Sequence, residues 1–259
     1  MTGSGIASLA MYDRAEVQPA NDRLWALIRD GLRAEGLPAP EALTRGPQSY
    51  WPAWESPDLI LSQTCGYPYR AKLHGRVTLL ATPDYGVEGC PPGHYVSVYV
   101  ARKDDKRDSL KAFDGAALAF NEDLSQSGWA GPMSHALSQG VTLRPSLRSG
   151  GHVLSARAVA EGRAEIAGID VVTWTMITRH DAFAASLKVI ARTTPTPGLP
   201  WIAAKDADAD RLFPILQQAV AALSQEDRAT LCLKGLTRIS ADAYLSIPTP
   251  PAPSHFGAP

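Results

Sequence analysis

Two short segments rich in serine and glycine carry the groups best suited to hold a small anion. The first is Ser125-Gln126-Ser127-Gly128, which follows an apolar run and precedes a helix-like stretch. A helix N-terminus offers backbone N–H groups without partners and a partial positive charge. Serine hydroxyls add donors, and glycine lets a ligand approach the backbone closely. The segment therefore predicts an oxyanion cradle; a serine that only caps the helix is the alternative.

A second segment, Ser149-Gly150-Gly151-His152, repeats this design before another helix-like stretch. A histidine in the first turn of a helix can donate a hydrogen bond to a bound oxyanion, and its pKa then responds to that anion. The alternative is a surface histidine beside a turn. Each segment follows a predicted strand, and ligands of open α/β sheets gather at the carboxyl ends of strands. We therefore expect the two segments to lie together.

Asp170 ends the apolar run of residues 166–169 and opens the next helix-like stretch. Two roles fit it equally well. It is either a carboxylate that accepts a hydrogen bond from the ligand, or a helix N-cap. An acid beside the ligand would favour a protonated oxyanion or an amine-bearing ligand.

Hydroxyl side chains elsewhere are further candidates for ligand contacts. Tyr12 ends the first predicted strand, and Thr64 and Tyr67 follow the second. Their alternatives are ordinary core or rim aromatics and a helix cap. Trp129 and Trp174 are candidates for an apolar wall of the site, or are simply part of the core.

The sequence offers little support for an enzyme. It contains no GxSxG, HExxH, P-loop or GxGxxG motif. Cys65 and His152 are a conceivable nucleophile and base, but no pattern pairs them. Other histidines are scattered without metal-ligand spacing, among them His74, His94, His135 and His180. We therefore predict no catalytic residue, no metal and no cofactor.

Composition sets the scale of the molecule. The chain has 259 residues, of which 45% are hydrophobic, and a net charge of -1. This is enough for two lobes with real cores. No run of lysine and arginine stands out, so we expect no nucleic-acid partner. The longest apolar runs are too short to span a bilayer. Cys65 and Cys90 lie in loop-like sequence, and whether they form a disulfide depends on the compartment.

Short apolar runs alternate with amphipathic stretches along the chain. Runs typical of strands lie at residues 6–12, 59–62, 77–81, 95–100, 117–120, 166–169 and 187–191. Helices are predicted after caps at Asn21-Asp22, Asp208 and Ser224, and over residues 127–137 and 153–163. This alternation favours an α/β fold with mostly parallel sheets.

The same pattern divides the chain. Residues 1–97 and 190–247 are predicted to form lobe one, and residues 98–189 to form lobe two. The two connections, near residues 95–101 and 188–193, would form a hinge. Residues 248–259 are Pro-rich and predicted to be disordered.

The order and spacing of these segments resemble the substrate-binding proteins of phosphonate/phosphite/phosphate-type ABC importers. Residues 121–128 are similar to that family's serine/threonine-rich turn, and residues 149–152 with 158–162 to its glycine–histidine turn and following helix. Residues 164–170 are similar to the stretch that carries its acid, and residues 59–69 have the placement of its lobe-one contact loop. The resemblance covers about residues 6–245. It implies a two-lobed type 2 periplasmic-binding fold with a hinge of two crossover strands.

The resemblance also implies roles for single residues. It implies that Ser125 and Ser127 supply oxyanion-binding hydroxyls and that His152 is the ligand histidine. It further implies that Asp170 is the acid and that Tyr12 and Tyr67 are lobe-one aromatics. Gln126 departs from the family pattern, because a small hydroxyl residue is more usual there. The substitution removes one compact donor and adds a longer one.

The implied function is a monomeric solute-binding protein whose lobes close on a phosphonate-, phosphite- or phosphate-like anion, with an ABC permease as partner. The alternatives are an enzyme on the same fold, such as one of thiamine-pyrimidine synthesis, and a cytoplasmic ligand-sensing domain. Residues 1–5 lack a basic region followed by a long apolar stretch, and no lipobox is present. We therefore expect a periplasmic protein if an export signal was removed, and a cytoplasmic one otherwise.

Overall fold

A computed structural model describes residues 5–257 of the chain. Residues 1–4, which enter the expectation about an export signal, and the last two residues of the Pro-rich tail lie outside this range. The contacts divide the chain into two compact units. Unit one contains the residues up to His94 together with Pro197–Leu245. Unit two contains Tyr95–Thr196 together with the residues from Ser246 onward.

The strands and helices alternate through both units. The strands are β1 (Ile6–Ser8), β2 (Leu59–Gln63), β3 (Val77–Asp84), β4 (His94–Tyr95), β5 (Ser97–Arg102), β6 (Ala117–Phe120), β7 (Arg144–Arg148), β8 (Ile166–Asp170), β9 (Leu187–Arg192), β10 (Thr196–Pro197), β11 (Trp201–Ala204) and β12 (Gly235–Thr237). The α-helices are α1 (Gln18–Ala34), α2 (Trp51–Trp54), α3 (Gly66–Pro68), α4 (Gly131–Ser138), α5 (His152–Ala160), α6 (Val171–His180), α7 (Ala209–Ala222), α8 (Gln225–Leu231) and α9 (Ala241–Leu245).

Tighter and wider turns complete the chain. Turns of 3₁₀ helix lie at Ala10–Tyr12, Gly46–Ser49, Leu110–Phe113, Ala182–Ser186 and Pro253–Phe256, and π-helical turns at Tyr69–Leu73 and Gln126–Ala130.

Unit one is built on a five-stranded sheet of order β1-β2-β11-β3-β12. β1 and β2 are parallel, whereas β11 is antiparallel to β2 and β3 on its two sides. Helix α1 buries one face, which carries Leu24, Trp25, Ile28 and Leu32 at helical spacing. The side chains on this face belong to the core of unit one.

Unit two is built on a second five-stranded sheet, of order β7-β6-β8-β5-β9. β6 is parallel to both β7 and β8, so these three strands end at the same edge of the sheet. β5 is antiparallel to β8 and β9. The segments that follow β6, β7 and β8 carry the candidate residues of the two serine–glycine segments and Asp170, which places all of them at one edge.

The sheets are mixed, so the expectation of mostly parallel sheets is wrong. The chain enters unit two along β5 and leaves it along β9, and these neighbouring strands must run in opposite directions. In unit one, β11 enters the sheet after that return and lies antiparallel between β2 and β3. Hydrophobic periodicity predicts that a strand exists but does not encode its direction.

The chain passes between the units between residues 94 and 95 and between residues 196 and 197. The sequence places these crossings at 97/98 and 189/190. β4 and β10, which contain the observed crossings, form a two-stranded sheet. A third crossing, between residues 245 and 246, returns the Pro-rich tail to unit two.

The expectation of a disordered tail is wrong for the residues up to Gly257. This segment contains the 3₁₀ turn Pro253–Phe256, and Pro250 and Pro253 are buried. The ring of Phe256 packs against Trp129 with 6.0 Å between centroids. Apolar rings docked on unit two therefore offset the entropy that would otherwise keep such a segment disordered.

Several local predictions can be compared with the structure. The caps of α7 and α8 are confirmed, because Asp208 accepts a hydrogen bond from the Arg211 N–H at 3.0 Å and Ser224 accepts one from the Asp227 N–H at 3.0 Å. The strand expected over residues 6–12 ends instead at Ser8. Asn21 is not a cap, because α1 begins at Gln18 and the Asn21 amide donates to Asp13 at 2.9 Å.

Within residues 5–257, no helix is both long and apolar enough to cross a membrane. The same residues contain no group of three or more histidine, cysteine, aspartate or glutamate side chains arranged to hold a metal ion. Cys65, Cys90 and Cys232 are thiols.

Candidate anion-binding site

The first serine–glycine segment forms a π-helical turn after β6. The Ser125 side chain caps it by accepting a hydrogen bond from the Gly128 N–H at 2.9 Å. The wide turn closes through the Ala130 N–H, which donates to the Ser125 carbonyl at 2.9 Å. Ser125, Gln126 and Ser127 are all buried. Single π turns of this kind occur frequently at functional sites.

Gly128 has a packing role in this turn. A Cβ at Gly128 would lie 2.7 Å from the side chain of Asn121, so glycine is needed to accommodate that side chain. The sequence suggests instead that Gly128 lets a ligand approach the backbone. The structure supplies the Asn121 contact as the reason for a glycine here.

Gly168 in β8 packs against the π turn. A Cβ at this position would lie 2.3 Å from Cγ of Pro132 and 3.2 Å from the carbonyl oxygen of Ser127. The absence of a side chain therefore lets the π turn and the start of α4 lie directly on β8. No sequence pattern singled out Gly168, because its role depends on which segment covers the strand.

The two serine–glycine segments meet through their side chains. The Ser127 hydroxyl and Nε2 of His152 are 2.8 Å apart. His152 is the first residue of α5, and the loop before it is tied to the end of β6, since the Ser149 N–H donates to the Phe120 carbonyl at 2.8 Å and the Gly150 N–H to the Asn121 carbonyl at 2.9 Å. The expected convergence of these segments is therefore observed in unit two.

Burial determines the charge of His152. It lowers the pKa of the imidazole to about 3, against a smaller upward effect of the Gly168 backbone carbonyl. The ring is therefore neutral at pH 7. Nδ1 is buried and makes no hydrogen bond that meets ordinary geometric limits to any residue in the described part of the chain. A neutral imidazole retains one N–H donor and one acceptor, so it can donate a hydrogen bond to an anion without carrying a charge of its own.

Asp170 is a buried helix cap. Its Oδ1 accepts hydrogen bonds from the N–H groups of Val172 at 2.7 Å and Thr173 at 2.9 Å at the start of α6. The capping alternative is therefore observed. A contact between Asp170 and a ligand stays a prediction, which its place at the end of β8 permits.

Other charged groups lie close to the π turn along the chain. Burial raises the pKa of Glu122, and Arg148 acts in the opposite direction. Arg148 itself pairs with Asp123 at 3.5 Å. The loop that leads into the π turn thus carries acidic side chains, and Arg148 at the end of β7 partly compensates their charge.

In unit one, the candidate Tyr12 and the neighbouring Gln63 are brought together by contacts with Tyr85. Tyr12 contacts the ring of Tyr85 edge-on, with centroids 5.2 Å apart, and the Gln63 amide donates to the Tyr85 hydroxyl at 2.9 Å. These three residues help to line a small cavity of about 20 Å³. Tyr85 was missed by the sequence interpretation, although it directly follows β3 as Tyr12 follows the first strand.

Thr64 and Tyr67 differ in their surroundings. The Thr64 hydroxyl is buried and has no hydrogen-bond partner among residues 5–257. Tyr67 is half-buried, and the Arg70 guanidinium lies 4.3 Å from its ring centroid. An unsatisfied buried hydroxyl is costly, so Thr64 is the stronger candidate for a ligand contact in unit one.

The Ser127–His152 pair has the spacing of a nucleophile and its base, but it lacks the third member of a triad. No carboxylate in the described part of the chain accepts a hydrogen bond from Nδ1 of His152, and the low pKa makes the ring a weak base. The arrangement suits hydrogen bonding to an anion better than proton abstraction.

The mixed α/β fold with its two five-stranded sheets is that of the periplasmic binding proteins. PhnD1 from Prochlorococcus marinus, solved in complex with methylphosphonate, is 15% identical with a TM-score of 0.69, over 97% of this chain and 96% of that one. A binding-protein component of an ABC phosphonate transporter from Pseudomonas aeruginosa is 18% identical with a TM-score of 0.69, over 95% and 84%. A protein from Xanthomonas citri bound to chloride is 16% identical with a TM-score of 0.69, over 92% of both chains. At these identities the likeness shows the fold alone.

Sequence shows the family. The model of the phosphonate-binding family, described as the periplasmic substrate-binding protein of phosphonate ABC transporters, matches residues 56–244. The chain belongs to this family. No sequence among curated proteins matches it significantly. The family consists of transporter binding proteins and not of enzymes, as the sequence predicts. The predicted family and the α/β periplasmic-binding fold are likewise confirmed.

Proposed function

We propose that this protein binds a small oxyanion of the phosphonate, phosphite or phosphate type and presents it to the permease of an ABC importer. Family membership supports the transport role. The observation that carries the choice of ligand is the 2.8 Å contact between Ser127 and His152, which joins two helix starts at one edge of the sheet in unit two.

The groups at this edge match the chemistry of an oxyanion. Because Ser127 and Nε2 of His152 share one hydrogen bond, the pair retains one free proton for an anion, either on the Ser127 hydroxyl or on Nδ1 of the neutral imidazole. Together with the backbone N–H groups that open α5, this donor can replace water around anionic oxygens. Asp170, at the end of β8, would accept a hydrogen bond from a protonated oxyanion. These contacts are proposals, as are the contributions of Ser125, Gln126, Tyr12, Thr64 and Tyr67.

Calorimetric titration of the purified protein tests the ligand class. Methylphosphonate, phosphite and phosphate would be compared with sulfate, which offers tetrahedral oxygens but no proton at neutral pH. We expect saturable heat with at least one of the three phosphorus oxyanions. If folded protein gave neither heat nor a thermal shift with any of them, the proposed ligand class would be wrong.

Ser127→Ala tests the residue at the centre of the site. Loss of the hydroxyl leaves one ligand oxygen without a donor, which we expect to weaken binding by about 1–3 kcal/mol. Ser138→Ala, on the exposed end of α4, is the matched control because its hydroxyl bonds only locally to the His135 carbonyl at 2.7 Å. Equal affinities for the two variants would remove Ser127 from the site.

A further inference from the structure

The Pro-rich tail is an ordered part of unit two that lies beyond the family match, which ends at residue 244. It docks through residues three positions apart, since Pro250 and Pro253 are buried and Phe256 is half-buried. Ala252 has the φ of -61° and ψ of 156° of polyproline II, and Pro253–Phe256 is a 3₁₀ turn. Both conformations repeat every three residues. One face of the tail therefore lies against unit two.

The last docking residue of the tail contacts the π turn that carries Ser127. The rings of Phe256 and Trp129 lie edge to face, with centroids 6.0 Å apart and an interplanar angle of 65°. The same indole contacts Phe120, the last residue of β6, at 5.4 Å. Trp129 is fully buried and belongs to the Gln126–Ala130 turn, two residues after Ser127.

Packing without a side-chain hydrogen bond holds this indole in position. The Trp129 N–H is buried and has no hydrogen-bond partner among residues 5–257. No polar contact therefore fixes the side chain, and removal of one neighbouring ring leaves it free to shift. A shift of Trp129 is transmitted along a short turn closed by the bond from the Ala130 N–H to the Ser125 carbonyl.

We propose that Phe256 is a positioning residue of the anion site, which acts through Trp129 to hold the Ser127 hydroxyl against His152. The effect of Phe256 on affinity rests on the proposed function. Its effect on the geometry of the turn does not, because the Ser127–His152 contact joins two side chains of the protein itself. The tail thus contributes to a site formed by residues more than one hundred positions earlier in the chain.

Phe256→Ala in the full chain tests this role. We expect affinity for the anion that binds best to fall roughly 2- to 30-fold, the range typical of residues that act through another. Without any anion, we expect the ring resonances of His152 to shift in NMR spectra. Hydrogen exchange is expected to accelerate in the peptide that spans the π turn and the start of α4.

Two further variants separate positioning from general stability. Phe183→Ala removes another half-buried ring of unit two, which packs beneath Arg157 with 4.6 Å from guanidinium to centroid and is not one of the rings that contact Trp129. We expect it to lower stability without changing the His152 resonances or the affinity. Phe256→Leu retains apolar volume against Trp129. We expect its His152 resonances and its affinity to be close to those of the wild type.

The outcomes are distinguishable. If Phe256→Ala and Phe183→Ala left the His152 resonances, the exchange of the π turn and the affinity equally unchanged, the positioning role would be overturned. If the wild-type protein bound no phosphorus oxyanion, the proposed function would fail, yet the resonances and exchange rates measured without anion would still decide whether Phe256 positions the turn. Should Phe256→Ala fail to fold, Phe256→Val, which removes the ring but keeps part of its apolar volume, takes its place in the comparison.

Discussion

At the scale of single residues, the site depends on a histidine that is kept neutral by burial. His152 contacts the Ser127 hydroxyl at 2.8 Å and has a pKa lowered to about 3. A neutral ring shares a hydrogen bond with a serine without fixing a charge in the site. Under the proposed function, an anion would then supply the only new charge on binding.

The lowered pKa makes a prediction about stability. An unfolded histidine binds a proton below about pH 6.5, whereas folded His152 does not until about pH 3. The unfolded state therefore binds more protons in this window, and stability is lost as the pH falls from about 6.5 toward 3, with a limiting slope of about 1.4 kcal/mol per pH unit. Urea unfolding of wild type and His152→Gln between pH 7 and pH 5 should show a shallower loss in the variant.

Two other groups must be separated from this effect. Burial also lowers the pKa of His135, so a His135→Gln variant measures that contribution on its own. Burial raises the pKa of Glu122, which acts in the opposite direction. Because wild type and variant share Glu122, their difference at each pH isolates His152. Parallel pH profiles for wild type and His152→Gln would contradict the buried, neutral histidine.

At the scale of elements, the site exists because a π turn lies directly on a strand. β8 carries Gly168 where the Ser127 carbonyl and Pro132 come closest. α5 begins where the loop after β7 is tied to the end of β6. Three parallel strands that end at one edge thus bring together segments that are well separated in the sequence.

Gly168→Ala tests this packing. The added methyl group would lie 2.3 Å from Pro132, so the turn or the strand must move. We expect a destabilisation of about 1–3 kcal/mol in urea unfolding, together with weaker anion binding. Gly235→Ala in β12 is the matched control, since a Cβ there meets no atom within 4 Å. Equal stability of both variants would show that the packing of the turn does not depend on the absence of a side chain at Gly168.

At the scale of the whole molecule, two units share one chain that crosses between them three times in the described residues. Each unit has its own five-stranded sheet. The proposed anion contacts at Ser127 and His152 belong to unit two, so ligand binding should stabilise that unit against unfolding.

Calorimetric melting checks this expectation. At a free anion concentration of 100 times Kd, binding adds about 2.7 kcal/mol of stability, which corresponds to an increase in Tm of roughly 11 °C for unfolding of a cooperative unit about 115 residues long. Ser127→Ala at the same anion concentration should show a smaller shift. A ligand-independent Tm in wild type at saturating anion would contradict specific binding to the folded protein.

Much of the site follows from local chemistry. The order of serine, glycine and histidine predicts two helix starts, and Asp208 and Ser224 predict their own caps, because each signal depends on residues only a few positions apart. The family resemblance is carried by the same short segments. These features can be predicted from a single sequence.

Only the tertiary structure shows which segments meet. The direction of β5 and β11, the support of the π turn by Gly168, the capping bonds of Asp170 and the docking of Phe256 on Trp129 all depend on contacts between distant residues. A single sequence specifies which side chains are available. The packing of strands and turns decides which of them share a site, because burial and hydrogen-bond geometry are set by neighbours that lie far away in the chain.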